Sequence, residues 1–146
     1  NGRKYEVQVK PNETLNYVLH DKLGWISPKT FCERGACGSC SVIMDGRPIL
    51  SCMTLAVDCD GKTIETAEKI AEDNHPLIES YIKYHCMQCG YCTPGFVVTA
   101  KALLDRNPNP TEDEVREALA GNLCRCATYP GHQRAVLEAA ATLREV

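Results

Sequence analysis

No apolar run in the 146 residues approaches the roughly 20 that a membrane-spanning helix needs. No cluster of lysines and arginines stands out, and the formal net charge is −3. A nucleic acid or an anionic membrane surface is therefore a poor partner. The first residues, Asn1-Gly2-Arg3-Lys4, do not read as a secretory signal or a twin-arginine leader. There is no GxGxxG, no phosphate loop and no nucleophile–base pair, so substrate chemistry has no visible seat in this chain. Internal repeats and low-complexity segments are missing too. What remains is a globular composition, 44% hydrophobic and 24% charged, long enough for one ordinary domain or two small ones.

Cysteine is what the chain has in excess: Cys32, Cys37, Cys40, Cys52, Cys59, Cys86, Cys89, Cys92, Cys124 and Cys126. A secreted disulfide scaffold is one way to use so many. The spacing speaks against it. Cys124 and Cys126 flank a single residue and Cys89 and Cys92 flank two, and such close pairs suit convergence on a metal better than bridges between distant loops. Thiols kept for metal imply a reducing compartment, the cytoplasm.

The chain divides into two halves, 1–70 and 71–146, with the 67–75 stretch as the join. The first reads as a small mixed β domain. Asn1-Gly2 followed by the alternation Tyr5, Val7, Val9 predicts a strand, the second of a hairpin. Leu15, Val18, Leu19 and Leu23 have helical spacing, with Gly24 as the C′ residue. Residues 41–44 and 47–50 flank Asp45-Gly46, a type I′ hairpin signal. A last short strand is expected over 63–66. The second half reads as all-helical. Residues 76–85 form a helix with Leu77, Ile78, Tyr81 and Ile82 inward. Thr93 caps the next helix with Pro94 at its first position. Asn107-Pro-Asn-Pro110 ends it, and Thr111 to Glu114 is a capping box for a third helix. A fourth runs over 130–144 with Val136, Leu137, Ala140 and Leu143 inward.

Cys32, Cys37 and Cys40, with Cys52 at the far end of the hairpin, have the plant-type ferredoxin spacing for a [2Fe–2S] cluster. Two irons need four thiolates, and a short loop must wrap the cluster to supply three of them. Gly35 and Gly38 in that loop let backbone N–H groups approach the sulfides. Zinc also takes four thiolates, but usually as two short-spaced pairs, so this set favours iron–sulfur. The second set, Cys89, Cys92, Cys124 and Cys126, is by itself ambiguous between zinc and iron–sulfur. Its context leans to an anionic cluster: Cys92 immediately precedes a helix N-terminus, and Gly90 exposes its backbone. Cys59 and Cys86 have no place in either set and read as structural core thiols.

Three segments together carry a family resemblance: Cys32-Glu-Arg-Gly-Ala-Cys37-Gly-Ser-Cys40, Gln88-Cys89-Gly90-Tyr91-Cys92-Thr93-Pro94-Gly95 and Gly121-Asn122-Leu123-Cys124-Arg125-Cys126. They resemble the small iron–sulfur subunit of the xanthine oxidase family of molybdenum hydroxylases, over nearly the whole chain. That family includes xanthine dehydrogenases, aldehyde oxidoreductases, carbon monoxide dehydrogenases and 4-hydroxybenzoyl-CoA reductases. The resemblance implies an α+β chain: an N-terminal β-grasp plant-type ferredoxin domain followed by a C-terminal four-helix-bundle [2Fe–2S] domain. It implies that the cluster on Cys89, Cys92, Cys124 and Cys126 is proximal to molybdenum. The cluster on Cys32, Cys37, Cys40 and Cys52 would then be distal to it and nearer FAD. Gln88 and Cys126 match positions that contact the pterin in family members, and an amide that both donates and accepts suits that work. The implied partners are a large molybdenum-cofactor subunit and a medium FAD subunit, in a heterotrimer or its dimer. A freestanding two-cluster ferredoxin-type shuttle and a zinc-bound adaptor are the rival classes.

The chain departs from the family pattern in several places. Ser27-Pro28-Lys29-Thr30-Phe31 replaces the usual Gly-Thr-Lys-x-Gly, Ala127-Thr128-Tyr129 replaces Thr-Gly-Tyr, and Asn16 replaces an apolar residue. These put the local packing in question. His132 and Gln133 are unusual as well and read as surface or interface residues. Arg125, between two ligands, reads equally as a tuner of the cluster potential and as a docking residue.

Overall fold

A computed structural model describes residues 1–145. Its small sheet is built around one strand. β1 (Ser41–Met44) pairs antiparallel with β2 (Arg47–Leu50) and with β3 (Ile64–Glu65), in the order β2-β1-β3. The register runs from Ser41 opposite Leu50 to Met44 opposite Arg47. Asp45 and Gly46 both have positive φ, 48° and 78°, which is the backbone a two-residue type I′ turn requires. Because side chains alternate across a strand, Val42 and Ile43 face opposite ways, and both are fully buried. Val42 packs with Leu15 and Leu19 in a small core. Ile43 belongs to a larger core shared with the helices. The sheet is thus covered on both sides, which explains an uninterrupted apolar strand.

The predicted strand over residues 5–9 does not form. Val7 and Val9 are half-buried between exposed neighbours, so the alternation is present. No backbone ladder pairs with it, however, since the sheet neighbours of β1 are β2 and β3. Alternation decides faces; only cross-strand hydrogen bonds make a strand. The helix expected after it is short: α1 (Leu15–Tyr17), capped by Thr14, runs into a π-helical turn over Val18–Lys22.

The join between the halves is itself structured. α2 (Ala67–Glu72) carries Ile70, which is fully buried in the larger core. Beyond it come α3 (Pro76–Lys83), α4 (Thr93–Arg106), α5 (Glu112–Leu119) and α6 (Tyr129–Arg144). α3 lies on α6, α5 touches both α4 and α6, and α4 also packs on β1. Phe96, Ala100 and Ala102 of α4 meet Val115 of α5 and Ala135, Val136 and Ala139 of α6 in a core from which water is excluded. Two predicted inward positions face out: Ile82 is 62% exposed and Leu143 37%. Each lies at the end of its helix, where the neighbouring helix no longer covers that face.

The capping box at Thr111 and Glu114 forms as expected. The cap of α4 does not: Cys92 is the N-cap, and Thr93 and Pro94 are the first two helical residues. Thr93 Oγ1 is left buried and without a partner.

Candidate metal centres

None of the ten cysteines is in a disulfide. In the first half, the 32–40 loop and the start of the 3₁₀ turn Ser51–Met53 bring four of them together. Cys37 and Cys40 are buried, Cys32 and Cys52 half-buried. The thiols meet as two pairs. Cys32 hydrogen-bonds with Cys37. Cys52 does so with Cys40 and also feels the charge of Cys32. The loop turns its backbone N–H groups toward the sulfurs. Those of Arg34, Ala36 and Cys37 reach Cys32, and the Arg34 contact leads in pulling that thiol down to about 6. The Ala36 contact measures 3.3 Å. Cys52 is pushed up to about 11, first by burial and then by Cys40.

In the second half the donors come from two segments. Cys89 and Cys92 stand at the entrance to α4, and Cys124 and Cys126 on the loop between α5 and α6. Cys89 Sγ lies 3.6 Å from Cys126 Sγ. Cys92 hydrogen-bonds with Cys124 and senses Cys89. Burial drives Cys92 up to about 12. Burial also opposes ionisation of Cys124, but the Thr128 hydroxyl and backbone N–H outweigh it and hold that thiol below its ordinary value. Among the described residues no three Cys, His, Asp or Glu side chains gather as one metal ion would require. The sulfurs stand two and two, the arrangement that a pair of irons bridged by sulfide asks for. Thiolate pairs with backbone donors aimed at them fit an anionic two-iron group.

The two sites are tied to each other. Leu123 N–H donates to Cys37 O at 2.9 Å, and the buried Asn122 side chain donates to Gly38 O at 3.1 Å. The approach is possible because glycine stands where the loops touch. A Cβ on Gly95 would lie 2.3 Å from Gly38 O, and one on Gly38, itself at φ 71°, 2.6 Å from Gly121 O.

The departing segment 27–31 is held in part by Asn16, which also departs. Asn16, buried, donates to Pro28 O at 3.2 Å and accepts from Thr30 Oγ1 at 2.6 Å. Glu68 receives the Ser27 N–H at 2.8 Å, and Tyr91 OH donates to Thr30 O at 2.7 Å. A polar Asn16 is therefore satisfied in place of an apolar residue. Gln88 and Cys126, singled out together, lie together: Gln88 Nε2 is 3.4 Å from Cys126 O. Arg125 is exposed. Cys86 is fully buried in the larger core, where burial raises its thiol to about 11. Cys59 is half-buried against the small core.

His132 contradicts its surface reading. It is completely buried and stacked on Phe96 with 3.9 Å between ring centroids. It was misjudged because a lone histidine on an apolar helix face gives no sign of its neighbours. Gln133 beside it is half-buried. Also missed were Tyr129, whose hydroxyl accepts the Cys124 N–H at 2.8 Å, and Thr128. The four-residue spacing of Thr128 and His132 at a helix start was the available clue.

Two paired-thiol centres on a mixed α/β chain define an iron–sulfur electron carrier. Family models agree. A "2Fe-2S iron-sulfur cluster binding domain" matches residues 3–82 and a "[2Fe-2S] binding domain" residues 63–137. The chain is 45% identical to the nicotine 6-hydroxylase small subunit of Paenarthrobacter nicotinovorans, over 95% of this chain and 85% of that one. Quinoline 2-oxidoreductase from Pseudomonas putida 86 superposes with a TM-score of 0.88 at 40% identity, covering 94% of this chain and 87% of that one. For aldehyde oxidoreductase from Desulfovibrio gigas the TM-score is 0.92 at 38% identity, with 97% of this chain and 16% of that longer one. The chain belongs to the small iron–sulfur subunits of the xanthine oxidase family of hydroxylases and dehydrogenases. It is a non-catalytic, electron-transfer subunit of an oxidoreductase complex, in a family whose partner subunits carry a molybdopterin-type cofactor and FAD.

Proposed function

We infer that Cys32, Cys37, Cys40 and Cys52 hold the cluster distal to molybdenum, and that Cys89, Cys92, Cys124 and Cys126 hold the proximal one. The observation that carries this is the gathering of eight thiols as two sets of two pairs. When bound, each [2Fe–2S] group accepts and releases one electron, which lets a two-electron reaction at molybdenum drain singly to flavin. The protein's part is to exclude water, to aim donors at sulfur and to fix the spacing of the two sites through Asn122 and Leu123.

Gln88 and Cys126 form the edge that meets the pterin. Both share an exposed rim with Cys89, the ligand most open to solvent. The partners are a large molybdenum-cofactor subunit and a medium FAD subunit, as a heterotrimer or its dimer, in the cytoplasm. Exposed apolar side chains flank both sites and suit burial against such partners: Phe31 and Met53 beside the first, Met87, Tyr91 and Leu123 beside the second. Residues 1–70 make the β-grasp domain and 71–146 the four-helix domain; the smaller core lies wholly within the first, while its Ile43 and Ile70 join the larger core of the helices. Among the described residues no helix is long and apolar enough to cross a membrane.

Cys40→Ser and Cys124→Ser in the anaerobically purified complex test the assignment. Each should remove a different one of two electron paramagnetic resonance signals and leave the other. Persistence of both signals in either variant, or colourless protein with stoichiometric zinc, would sink it.

A further inference from the structure

Thr128 and His132 belong to neither thiol set, yet a chain of hydrogen bonds runs from them onto one. Thr128 Oγ1 lies 3.2 Å from Cys124 Sγ and 3.0 Å from His132 Nε2. His132 sits one turn along α6 from Thr128, flat against Phe96 and 5.3 Å from the Tyr81 ring. It is sealed from solvent, and its Nδ1 has no partner. Burial lowers its pKa to about 4, so near neutral pH the ring carries a single proton.

Chemistry fixes the direction of each bond. A cysteine sulfur bound to iron has no proton to give, so the Thr128 hydroxyl must donate to it. With its own proton committed, that oxygen can only accept from His132. The ring proton therefore sits on Nε2, and Nδ1 is left as a bare lone pair, in keeping with its lack of a partner. The result is a directed relay, Nε2–H to Oγ1–H to Sγ, in which the first donor polarises the second. Thr128 stands where the family pattern has glycine, which could not build such a relay.

We propose that Thr128 and His132 set the reduction potential of the cluster held by Cys89, Cys92, Cys124 and Cys126, raising it through the hydrogen bond donated to Cys124 Sγ. The inference rests on the ligand assignment above. An added electron deepens the negative charge on the ligand sulfur. A donor aimed at that sulfur stabilises the reduced form more than the oxidised one. The surroundings are dry, so the effect is little screened. The other set is served differently: the donors reaching Cys32 are backbone N–H groups, which no side-chain substitution removes. Both residues are positioning residues acting through Cys124.

The test is a redox titration of the intact, anaerobically purified complex, with the two clusters read separately by electron paramagnetic resonance. In Thr128→Val, which keeps the shape and loses the hydroxyl, the reduced-to-oxidised ratio of the second-half cluster at a fixed poise should fall about tenfold. That is about 59 mV for a one-electron couple. The first-half cluster should not move. Thr128→Ser should restore the wild-type value, and His132→Phe, which keeps the stack, should give a smaller shift of the same sign. An unchanged potential in Thr128→Val, or an equal shift of both clusters, overturns the proposal. If His132→Phe does not fold, the Thr128 pair decides alone. Failure of the underlying assignment has a different signature, the survival of both signals in Cys124→Ser.

Discussion

The two centres solve the same problem by different means. Around the first, one nine-residue loop, 32–40, supplies three thiols and turns its own N–H groups onto them. Around the second, the thiols come from two loops that lie on either side of α4 and α5, and a side-chain relay serves Cys124. A site made by one local loop depends on backbone shape, which glycine and short spacing encode. A site assembled across helices depends on packing, and every side chain that packs there can alter it. The second centre should therefore be the one that point substitutions reach.

The largest effect should come from breaking the junction between the centres. Gly95→Ala would put a methyl group on Gly38 O. It should destabilise the fold by about 3 kcal/mol or more, seen as a lower denaturant midpoint, and reduce bound iron in both centres. Gly121→Ala, where a Cβ meets nothing within 4 Å, is the matched control and should change the midpoint by less than ~0.5 kcal/mol.

Acid should expose the second half through His132. Its folded pKa, about 4, lies below the ordinary histidine value of 6.5, so the unfolded chain takes up the proton first. The stability tied to the neutral ring is complete above 6.5 and is lost as pH falls toward 4. It amounts to roughly 3 kcal/mol. Unfolding midpoints measured across that window should fall more steeply for wild type than for His132→Phe; parallel slopes would show that the ring is not sealed from water.

Asn122→Ala sharpens the contrast more gently. It removes one of three donors to the Gly38 carbonyl, which keeps the Ser41 N–H and hydroxyl, and should cost up to about 1.5 kcal/mol. Ser41 still holds the Gly38 carbonyl and all eight thiols stay in place, so iron content after anaerobic purification should stay close to wild type. The smallest effect belongs to a site remote from both centres. Thr111→Ala dissolves the capping box of α5 and should cost about 1 kcal/mol, with no change in either cluster signal. A change in the signals would mean that the helical half transmits strain to the second centre.

Legibility followed the same divide. The 32–40 loop, the Asp45-Gly46 hairpin and the Thr111 capping box could be read directly, because each is fixed by residues within a few positions of one another. The four helices of the second half were legible from periodicity, although Ile82 and Leu143 turned outward where their cover ends. The strand over 5–9 was misread because alternation reports exposure and says nothing of a hydrogen-bonded neighbour. α2 went unseen because six residues carry little periodicity. Its one decisive residue, Ile70, is buried by helices far along the chain.

Cysteine spacing by itself determined that this protein gathers eight thiols four and four, since chain connectivity limits what a short loop can wrap. Which sulfurs pair, how Cys37 and Gly38 come to touch Leu123 and Asn122, and that a histidine lies sealed behind Cys124 were decided only by tertiary packing. These contacts join residues up to 86 positions apart, as in Leu123 and Cys37, and no local pattern fixes which distant surfaces will meet.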